Sequence, residues 1–337
     1  MPLDARPGEL IERMAMLVTG VASRLGLDLS GVRVLTEAAT GAYSVTPVLA
    51  ALAGANVMAL AKDSRFGSVA DVAAATYSLA ERLGVASQIT LSTERSPAHY
   101  ADADLITNSG HVRPIVGEFA EAIRPGAALA LMFESWEIQA GREDLSLDRL
   151  RARGVRIAGT NERHPNVDVF SYLGLMAVVH LADAGVPAYR AIVGLLCDNP
   201  FRSYLESGLA SNGATVLPAS EFEELAGEEI DVLLVALKPT GRSVLSRDDL
   251  VRIRNLHPGV PIVQFWGDVD RDVATSAGVP VWPIRPPSPG HMGVLPSRLG
   301  PDATIRLQAG GLKVGQVLLT DPLARTSEDL EYLDELR

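Results

Sequence analysis

Short apolar segments alternate with helix-length segments along most of this 337-residue chain, and this alternation limits the fold more than any other feature. Segments 32–36, 56–61 and 89–92 have the length and the apolar character of buried strands. Helical patterns such as 69–83 lie between them. Strands joined through helices predict right-handed βαβ crossovers and a parallel sheet that is covered on both faces. The sequence therefore predicts an α/β fold.

The alternation occurs twice, which predicts two Rossmann-like, doubly wound parallel-sheet domains with a ligand cleft between them. A chain of this length also exceeds what one hydrophobic core usually organises. The predicted parts are an N-terminal Rossmann-like domain that is a candidate for nucleotide binding (1–165), a connecting helix (166–186), a second Rossmann-like domain (187–285), and a Pro/Gly-rich loop with C-terminal helices at the domain interface (286–337).

Composition excludes several classes of function. The formal charge is −11, and no Lys/Arg stripe with interleaved aromatic residues is present, so nucleic acid is not an expected partner. No apolar run is long enough to cross a bilayer, and residues 1–27 lack the apolar core of a signal peptide. One cysteine, Cys197, excludes an intramolecular disulfide and a cysteine-based metal cluster. We therefore expect a cytoplasmic protein of small-molecule metabolism, without a metal site and without a membrane partner; a homodimer is left open.

A dinucleotide site usually has the pattern G-x-G-x-x-G after the first strand, because bare backbone lets the pyrophosphate approach a helix N-terminus. The aligned positions here are Thr36, Ala38 and Gly41, so only the third glycine is present. Tyr43 and Ser44 follow in the first turn of the predicted helix, where hydroxyl and backbone N–H groups can bind an anion. These five residues are predicted to bind the cofactor.

The end of the second strand bears on the choice between NAD and NADP. NAD-binding domains place an acidic residue there to bind the ribose 2′-hydroxyl. In this sequence Ala61 and Lys62 occupy the expected place, with Asp63 one step later and Arg65 close by. The two cations suit a 2′-phosphate, which favours NADP over NAD; the alternative is that they are ordinary solvated loop residues.

By the order of its elements, the segment 31–160 resembles the two-domain NAD(P)-binding Rossmann superfamily. It is loosely similar to the cofactor domains of 2-hydroxyacid dehydrogenases and adenosylhomocysteinases. Two of the three fingerprint glycines and the acid after the second strand are absent. The resemblance implies a nicotinamide dinucleotide cofactor, NADP or NAD, and it assigns no catalytic residue.

Ligands of open parallel sheets bind beyond the carboxyl ends of the strands, so the polar residues that follow each strand are candidate site residues. In the first domain these include Glu37 after the first strand, Asn108 as a further cofactor-binding residue, and the residues of three more loops: His111, Arg113, Glu134, Glu137, Asn161, Glu162 and His164. We expect these loops to meet at one crevice.

One set of these side chains supplies acid–base chemistry. His111 can exchange a proton near neutral pH, Glu134 can orient it, and Arg113 can hold a substrate carboxylate. The alternative is that His111 caps a helix or bonds to a loop carbonyl. His164 is a second catalytic candidate, although Pro165 beside it indicates a turn. Glu137, Asn161 and Glu162 are predicted to bind substrate.

The second domain adds three candidates, and the loop that follows it adds a fourth. Lys238 follows a predicted strand and can neutralise an anion, while Trp266 and Asp268 follow another and are predicted to bind substrate. His291 lies in the proline-rich segment 285–301, where it can act as part of a lid. Cys197 ends an apolar strand and is interpreted as a core residue.

Three hypotheses follow. The first is an NAD(P)-dependent oxidoreductase, or an enzyme that uses a nicotinamide transiently, acting on a small anionic metabolite such as an amino or hydroxy acid. The second is a non-redox lyase, ligase or transferase on a degenerate Rossmann scaffold, which the missing glycines favour. The third is a non-catalytic binding protein, against which the many polar residues at the strand ends argue.

Overall fold

The computed structural model describes residues 10–139 and 144–336, so the first nine residues of the chain lie outside it. The chain divides into two compact units. Unit 1 comprises the chain up to Val169 together with the segment from Gly300 onward, and unit 2 is Phe170–Leu299. Both units contain a parallel sheet with helices, which confirms the predicted fold class.

The strands form two separate sheets. They are β1 (Arg33–Glu37), β2 (Asn56–Leu60), β3 (Ile89–Ser92), β4 (Leu105–Asn108), β5 (Ala128–Leu131), β6 (Arg156–Thr160), β7 (Ile192–Leu196), β8 (Thr215–Ala219), β9 (Val232–Ala236), β10 (Ile262–Trp266), β11 (Val281–Trp282) and β12 (Leu333–Asp334). The sheet of unit 1 has the order β12-β6-β5-β4-β1-β2-β3, in which β12 alone is antiparallel to its neighbour. Without β12 this is the 3-2-1-4-5-6 order of Rossmann domains.

The sheet of unit 2 has the order β11-β10-β9-β7-β8, and all its strand pairs are parallel. Numbered within the unit, this is the 2-1-3-4-5 order of flavodoxin-like domains. The two halves of the chain thus share an architecture but not a topology. A crevice is expected at the carboxyl ends of the strands in each sheet, where the chain order reverses.

The helices cover both faces of each sheet. They are α1 (Ile11–Arg24), α2 (Val45–Leu52), α3 (Val69–Arg82), α4 (Pro97–Asp102), α5 (Gly117–Ala122), α6 (Trp136–Gln139), α7 (Leu147–Ala152), α8 (Leu173–Asp183), α9 (Arg202–Ser211), α10 (Arg247–Leu256), α11 (Arg271–Ala277), α12 (Asp302–Leu319) and α13 (Ser327–Glu331). In the part of the chain that the structure describes, none of the helices has both the length and the apolar character needed to cross a bilayer.

The C-terminal helix α12 differs from its prediction. The sequence predicts a helix over 312–319 that is entered through Gly310 and Gly311, whereas the helix begins at Asp302 and contains both glycines. A Cβ atom on Gly311 would lie 2.0 Å from Sδ of Met132, so the helix backbone packs directly on the sheet of unit 1. That packing offsets the helix penalty of about 1 kcal/mol for a glycine. The segment from Gly300 onward is therefore part of unit 1.

The predicted connecting helix is also part of a unit. Its observed counterpart, α8, belongs to unit 2 and packs against α9. Gly174 and Gly208 face each other at this crossing, and a Cβ atom on Gly174 would lie only 2.5 Å from Cα of Gly208. Small residues at a helix crossing let the two backbones approach closely, so this contact fixes α8 within the unit.

Candidate functional site

The order of the strands in unit 1 reverses between β1 and β4, which lie side by side through Val34 and Leu105. The connections from these two strands leave toward opposite faces of the sheet, which opens a crevice at their carboxyl ends. Glu37 ends β1 and Asn108 ends β4. These two residues therefore mark the crevice of unit 1.

Glu37 is a buried acid at this point. Its side chain is 8% exposed, and a Cβ atom built on Gly110 would lie 1.3 Å from its Oε2, so the carboxyl group rests against the turn that follows β4. Burial raises the pKa of Glu37 to about 7, against the opposing effects of the Arg113 charge and the His111 backbone N–H. A carboxyl with this pKa can both donate and accept a proton near neutral pH.

Tyr43 and Arg113 surround the same carboxyl. Tyr43 lies in a 3-10 turn, Gly41–Ser44, and burial raises the pKa of its phenol, an effect to which the Glu37 charge adds. Arg113 donates a hydrogen bond from Nη1 to Oδ2 of Asp144 over 3.2 Å. Its positive charge is thus shared between Asp144 and the buried carboxyl of Glu37. Both residues were predicted site residues, and the structure brings them to Glu37.

His111 lies in the turn Gly110–Val112 and is half-buried. Burial lowers the pKa of its imidazole, and the charge of Lys62, in the loop after β2, lowers it further. The ring is therefore largely neutral at pH 7 and can act as a base or hydrogen-bond partner there. The structure places the catalytic candidate His111 and the cofactor candidate Lys62 near each other, as the prediction of one crevice requires.

Glu134 does not orient His111. Its side chain is 3% exposed, and Arg163 holds both carboxylate oxygens, with 3.1 Å from Nε to Oε1 and 2.5 Å from Nη2 to Oε2. Trp136 donates a further hydrogen bond of 2.9 Å to Oε2. The proposed pairing with His111 is therefore corrected: the buried Glu134 pairs with the exposed Arg163, and this ion pair connects the loops after β5 and β6.

Asn108 carries the clearest sign of a ligand. It is 2% exposed, and among the residues that the structure describes neither the oxygen nor the nitrogen of its amide has a hydrogen-bond partner. A buried polar group left in this way costs about 1–3 kcal/mol. By contrast, the neighbouring hydroxyl of Thr107 lies 2.8 Å from those of both Thr36 and Ser109. An unpaired amide beside satisfied hydroxyls at the end of a strand points to a group that arrives from outside the chain.

The predicted phosphate turn is only partly a loop. Thr36 lies inside β1, where its hydroxyl is buried, and Ala38 is fully buried with its N–H bonded to the Leu60 carbonyl. Thr36 is thus a strand residue, whereas Ala38 is the first residue of the loop after β1, with its side chain packed inward. Gly41 has a φ of +60°, and no atom lies within 4 Å of the place a Cβ would occupy. Ser44 donates to the Gly41 carbonyl over 2.9 Å. The open turn before α2 thus begins at Gly41.

The loop after β2 keeps two exposed cations. Asp63 accepts a hydrogen bond of 2.7 Å from the N–H of Val69, so its carboxylate supports the start of α3. Lys62 and Arg65 are exposed, and the Arg65 guanidinium lies 4.7 Å from the centre of the Phe66 ring. The acid is therefore engaged in the loop itself, whereas the cations remain available to an anionic group.

The residues after β6 hold the C-terminal segment instead of lining the crevice marked by Glu37. Asn161 donates from its amide to the Glu331 carbonyl over 2.8 Å, and the His164 ring stacks on Tyr332 at 3.9 Å between centroids. Burial lowers the pKa of His164. These contacts place β12 beside β6. Two other substrate-binding candidates are near this region: the buried Glu162 and the half-buried Glu137 of α6.

In unit 2 the order reverses between β7 and β9, and its own side chains connect the two strand ends. Asn199 donates from its amide to the Ala236 carbonyl over 2.5 Å. Asp198 accepts a hydrogen bond of 2.9 Å from the backbone N–H of Lys238. The catalytic candidate Lys238 thus takes part in this closure through its backbone.

The other candidates of unit 2 hold the proline-rich segment. Trp266 donates from its indole to the Gly290 carbonyl over 3.0 Å, and both oxygens of Asp268 lie 3.1 Å from the Gly290 nitrogen. His291 is exposed, and its Nδ1 lies 3.0 Å from the Pro289 carbonyl oxygen. The structure thus gives Trp266 and Asp268 a role in fixing this segment.

Cys197 is buried, and burial raises the pKa of its thiol to about 11. A thiol of this kind is mostly protonated at pH 7 and is a poor nucleophile. This agrees with its interpretation as a core residue.

Sequence reasoning gave Glu37 no role, although it placed this residue among the strand-end loops. The signal was present, because a glutamate stands between the apolar strand Val34-Leu35 and two alanines. A charged residue in such surroundings is rarely buried without a reason. What the sequence did not contain was the contact with the Gly110 turn, more than 70 residues further along the chain.

Comparison with known proteins supports the fold. No family model matches the chain, and no curated protein matches its sequence. Among solved structures, a dipicolinate synthase chain from Bacillus halodurans is 12% identical, with 88% of this chain and 100% of that chain covered and a TM-score of 0.52. The pyruvate reductase of Chlamydomonas reinhardtii is 14% identical, with coverage of 88% and 99% and the same TM-score of 0.52. At these identities the likeness shows a shared Rossmann-like α/β fold and no more.

Proposed function

We propose that the chain is an NAD(P)-dependent oxidoreductase that acts on a small anionic metabolite in the crevice of unit 1. The observation that carries this proposal is the unpaired, buried amide of Asn108 at the reversal point of a 3-2-1-4-5-6 sheet. In sheets of this order the reversal point is where dinucleotides bind. The proposal accounts for a polar group that the protein itself leaves unsatisfied.

The residues of unit 1 fit a nicotinamide dinucleotide in three places. The open turn at Gly41 leaves room for phosphate oxygens at the start of α2. The amide of Asn108 can both donate and accept, as binding of a carboxamide requires. When bound, the nicotinamide would supply or accept the two electrons of the reaction. We propose that Asn108 and the Gly41 turn hold it, together with Tyr43 and Ser44.

We propose NADP as the preferred form of the cofactor. Lys62 and Arg65 are exposed in the loop after β2, while Asp63 uses its carboxylate to support α3. In Rossmann domains the end of this strand is close to the ribose 2′ position. Two cations at this place stabilise a 2′-phosphate, whereas NAD binding would benefit from a free acid.

Arg113 is the proposed partner of the substrate anion. It is partly exposed and already shares its charge between Asp144 and Glu37, so a bound carboxylate would compete with these two acids. Pyruvate, which is named for the similar algal reductase, is the first 2-oxo acid to test. Its carboxylate and carbonyl provide the anion and the reducible group that the proposal requires.

A non-redox enzyme on the same scaffold is the second candidate, and Glu37 favours it. This acid ends β1, next to the turn that would bind a pyrophosphate, and an ionised carboxylate there repels phosphate. A lyase or transferase without a dinucleotide would not meet this conflict. The two candidates differ in one measurable property, which is the binding of the nicotinamide dinucleotide.

The test is a fluorescence titration of the purified chain with NADPH and NADH. We expect saturable binding that is tighter for NADPH, and a loss of at least tenfold in affinity for Gly41→Val, because the new side chain fills the open turn. The matched control is Gly126→Val, since Gly126 also has a positive φ and open space around it. Gly126 comes just before β5, so it lies at the amino ends of the strands and away from the proposed site. Absence of binding of both nucleotides to the wild-type chain would exclude the proposal and favour the non-redox candidate.

A further inference from the structure

We propose that Glu37 is the group that exchanges a proton with the substrate in the crevice of unit 1. This inference rests on the proposed function of that crevice, and it assigns the acid–base role to a residue other than the histidine that the sequence favoured. Three observations support it: the position of Glu37 in the sheet, the charged groups around its carboxyl, and the hydrogen bonds that already hold the other candidate acid, Glu134.

The position comes first. Glu37 ends β1 at the reversal point and lies one strand away from Asn108, which ends the adjacent β4. The backbone of Gly110 approaches its carboxyl so closely that a Cβ atom there would overlap Oε2 at 1.3 Å. The turn after β4 thus fixes the carboxyl beside the unpaired amide that we assign to the cofactor. A substrate that uses this acid must therefore bind with its reacting carbonyl at the end of β1.

The surroundings leave Glu37 balanced between its two protonation states. Burial favours the neutral acid, whereas Arg113 and the backbone N–H of His111 favour the carboxylate. Asp144 competes for the Arg113 charge through a bond of 3.2 Å. The phenol of Tyr43 interacts with the same carboxyl from the turn before α2. Because these effects oppose each other, a proton can be taken up and released at a small free-energy cost.

The other candidates are less suited to the role. Glu134 has both oxygens engaged by Arg163 and Trp136, so its carboxylate is already held by the loops after β5 and β6. His111 has a lowered pKa and is largely unprotonated at neutral pH, so it is a weak proton donor for the reductive direction. Among these three residues, Glu37 alone combines burial, a fixed position and both protonation states near pH 7.

In the reductive direction, protonated Glu37 gives its O–H proton to the carbonyl oxygen of a 2-oxo acid. A bound reduced nicotinamide would supply a hydride, that is, the hydrogen of its own ring C–H bond with both electrons of that bond, to the carbonyl carbon. The C=O double bond becomes a single bond with one new C–H and one new O–H bond, the nicotinamide would be left oxidised, and Glu37 remains as a carboxylate. Arg113 holds the substrate carboxylate. Glu37 then regains a proton from solvent, and oxidation of the alcohol follows the same path in reverse.

The experiment follows the protonation of Glu37 directly by infrared difference spectroscopy between pH 5 and 9. The carbonyl stretch of a protonated carboxyl is separate from the bands of carboxylates. We expect a band that disappears with a midpoint near pH 7, that is absent in Glu37→Gln, and that persists in Glu81→Gln, in which an exposed acid of α3 is changed. Absence of such a band in the wild-type chain overturns the proposal, whether or not NADPH binds.

Steady-state reduction of pyruvate, or of the 2-oxo acid that a screen identifies, supplies the second readout. We expect Glu37→Gln to bind NADPH within about threefold of wild type but to lose on the order of 100-fold or more in kcat. Glu37→Asp keeps an acid and is expected to recover part of this loss, which separates lost chemistry from lost folding. Wild-type kcat in Glu37→Gln would overturn the acid–base role while NADPH binding is retained. Failure of the wild-type chain to bind NADPH would overturn the proposed function, and the reductive step with it.

Discussion

The two reversal points of the molecule are built from similar elements and are satisfied in different ways. In unit 2, Asn199 and Asp198 connect the ends of β7 and β9 through hydrogen bonds to Ala236 and Lys238. In unit 1, Asn108 occupies the end of β4 with both amide atoms unpaired. The same side-chain chemistry closes one crevice and is left unsatisfied in the other.

This difference is the basis for proposing that unit 1, not unit 2, binds a ligand at its reversal point. A polar group that is satisfied within the protein contributes to stability and has little to gain from a ligand, whereas an unpaired buried group recovers its cost when a ligand binds. The buried acid Glu37 strengthens the contrast, because burial of a charge also destabilises unit 1. We interpret the crevice of unit 1 as the functional one for this reason.

The largest expected effect is the loss of folding stability that the buried Glu37 causes when it ionises. Its pKa is about 7 in the folded chain against 4.5 when exposed, so the folded chain binds the extra proton between these values. The contribution of Glu37 to the free energy of unfolding is therefore most favourable below pH 4.5. This contribution is lost as the pH rises through 7. We expect the free energy of unfolding of Glu37→Gln to rise relative to wild type by roughly 3 kcal/mol between pH 4 and 9.

Urea denaturation of both chains across this pH range measures the effect. Glu81→Gln is the control, since an exposed acid should give a difference from wild type that changes much less. A pH-independent difference between Glu37→Gln and wild type would mean that unit 1 carries no strained acid, and the contrast with unit 2 would then rest on Asn108 alone.

The second expected effect concerns the closure of unit 2. Asn199→Ala removes the hydrogen bond to the buried Ala236 carbonyl and the bond of 3.1 Å that its Oδ1 accepts from the Phe201 N–H. Both backbone groups lose their partner, so we expect a loss of about 2 kcal/mol in the free energy of unfolding. Chemical denaturation followed by a probe in unit 2 tests this. Unchanged stability would show that these bonds do not hold the crevice closed.

The smallest expected effect on the free energy of unfolding is that of the corresponding asparagine-to-alanine substitution in unit 1. Asn108→Ala removes an amide without partners, so the free energy of unfolding should change by less than about 1 kcal/mol, in either direction. NADPH affinity should nevertheless fall by tenfold or more in the titration described above. A stability loss as large as that of Asn199→Ala would mean that the Asn108 amide has a partner within the protein, and the comparison between the two reversal points would fail.

The periodicity of the sequence was sufficient to predict most of the secondary structure. The strand over 89–92 was predicted with its observed bounds, and most of the other predicted strands differ from the observed ones by a residue or two at an end. Such short strands can be predicted because each is an apolar segment between turn residues. Three short elements were missed, α4, α6 and β12, since none has enough residues to show a period.

The candidate site was predicted less well than the fold. Arg113, His111 and Tyr43 lie after strand ends as predicted, because the carboxyl ends of parallel strands follow from strand order. Asn108, which was also predicted to follow a strand, is the last residue of β4. The sequence did not predict which residues these side chains contact. Glu134 was assigned to His111, yet it pairs with Arg163, and His164 stacks on Tyr332 near the other end of the chain.

The sequence by itself thus determined the α/β class, the two successive series of strands and the edge of each sheet where polar residues collect. These depend on local period and on chain order. The tertiary structure decided the opposite fates of Asn108 and Asn199, the burial of Glu37 against the Gly110 turn, and the incorporation of α12 into unit 1. The physical reason is that pairing and burial depend on contacts between residues far apart in the chain, and no local pattern records these contacts.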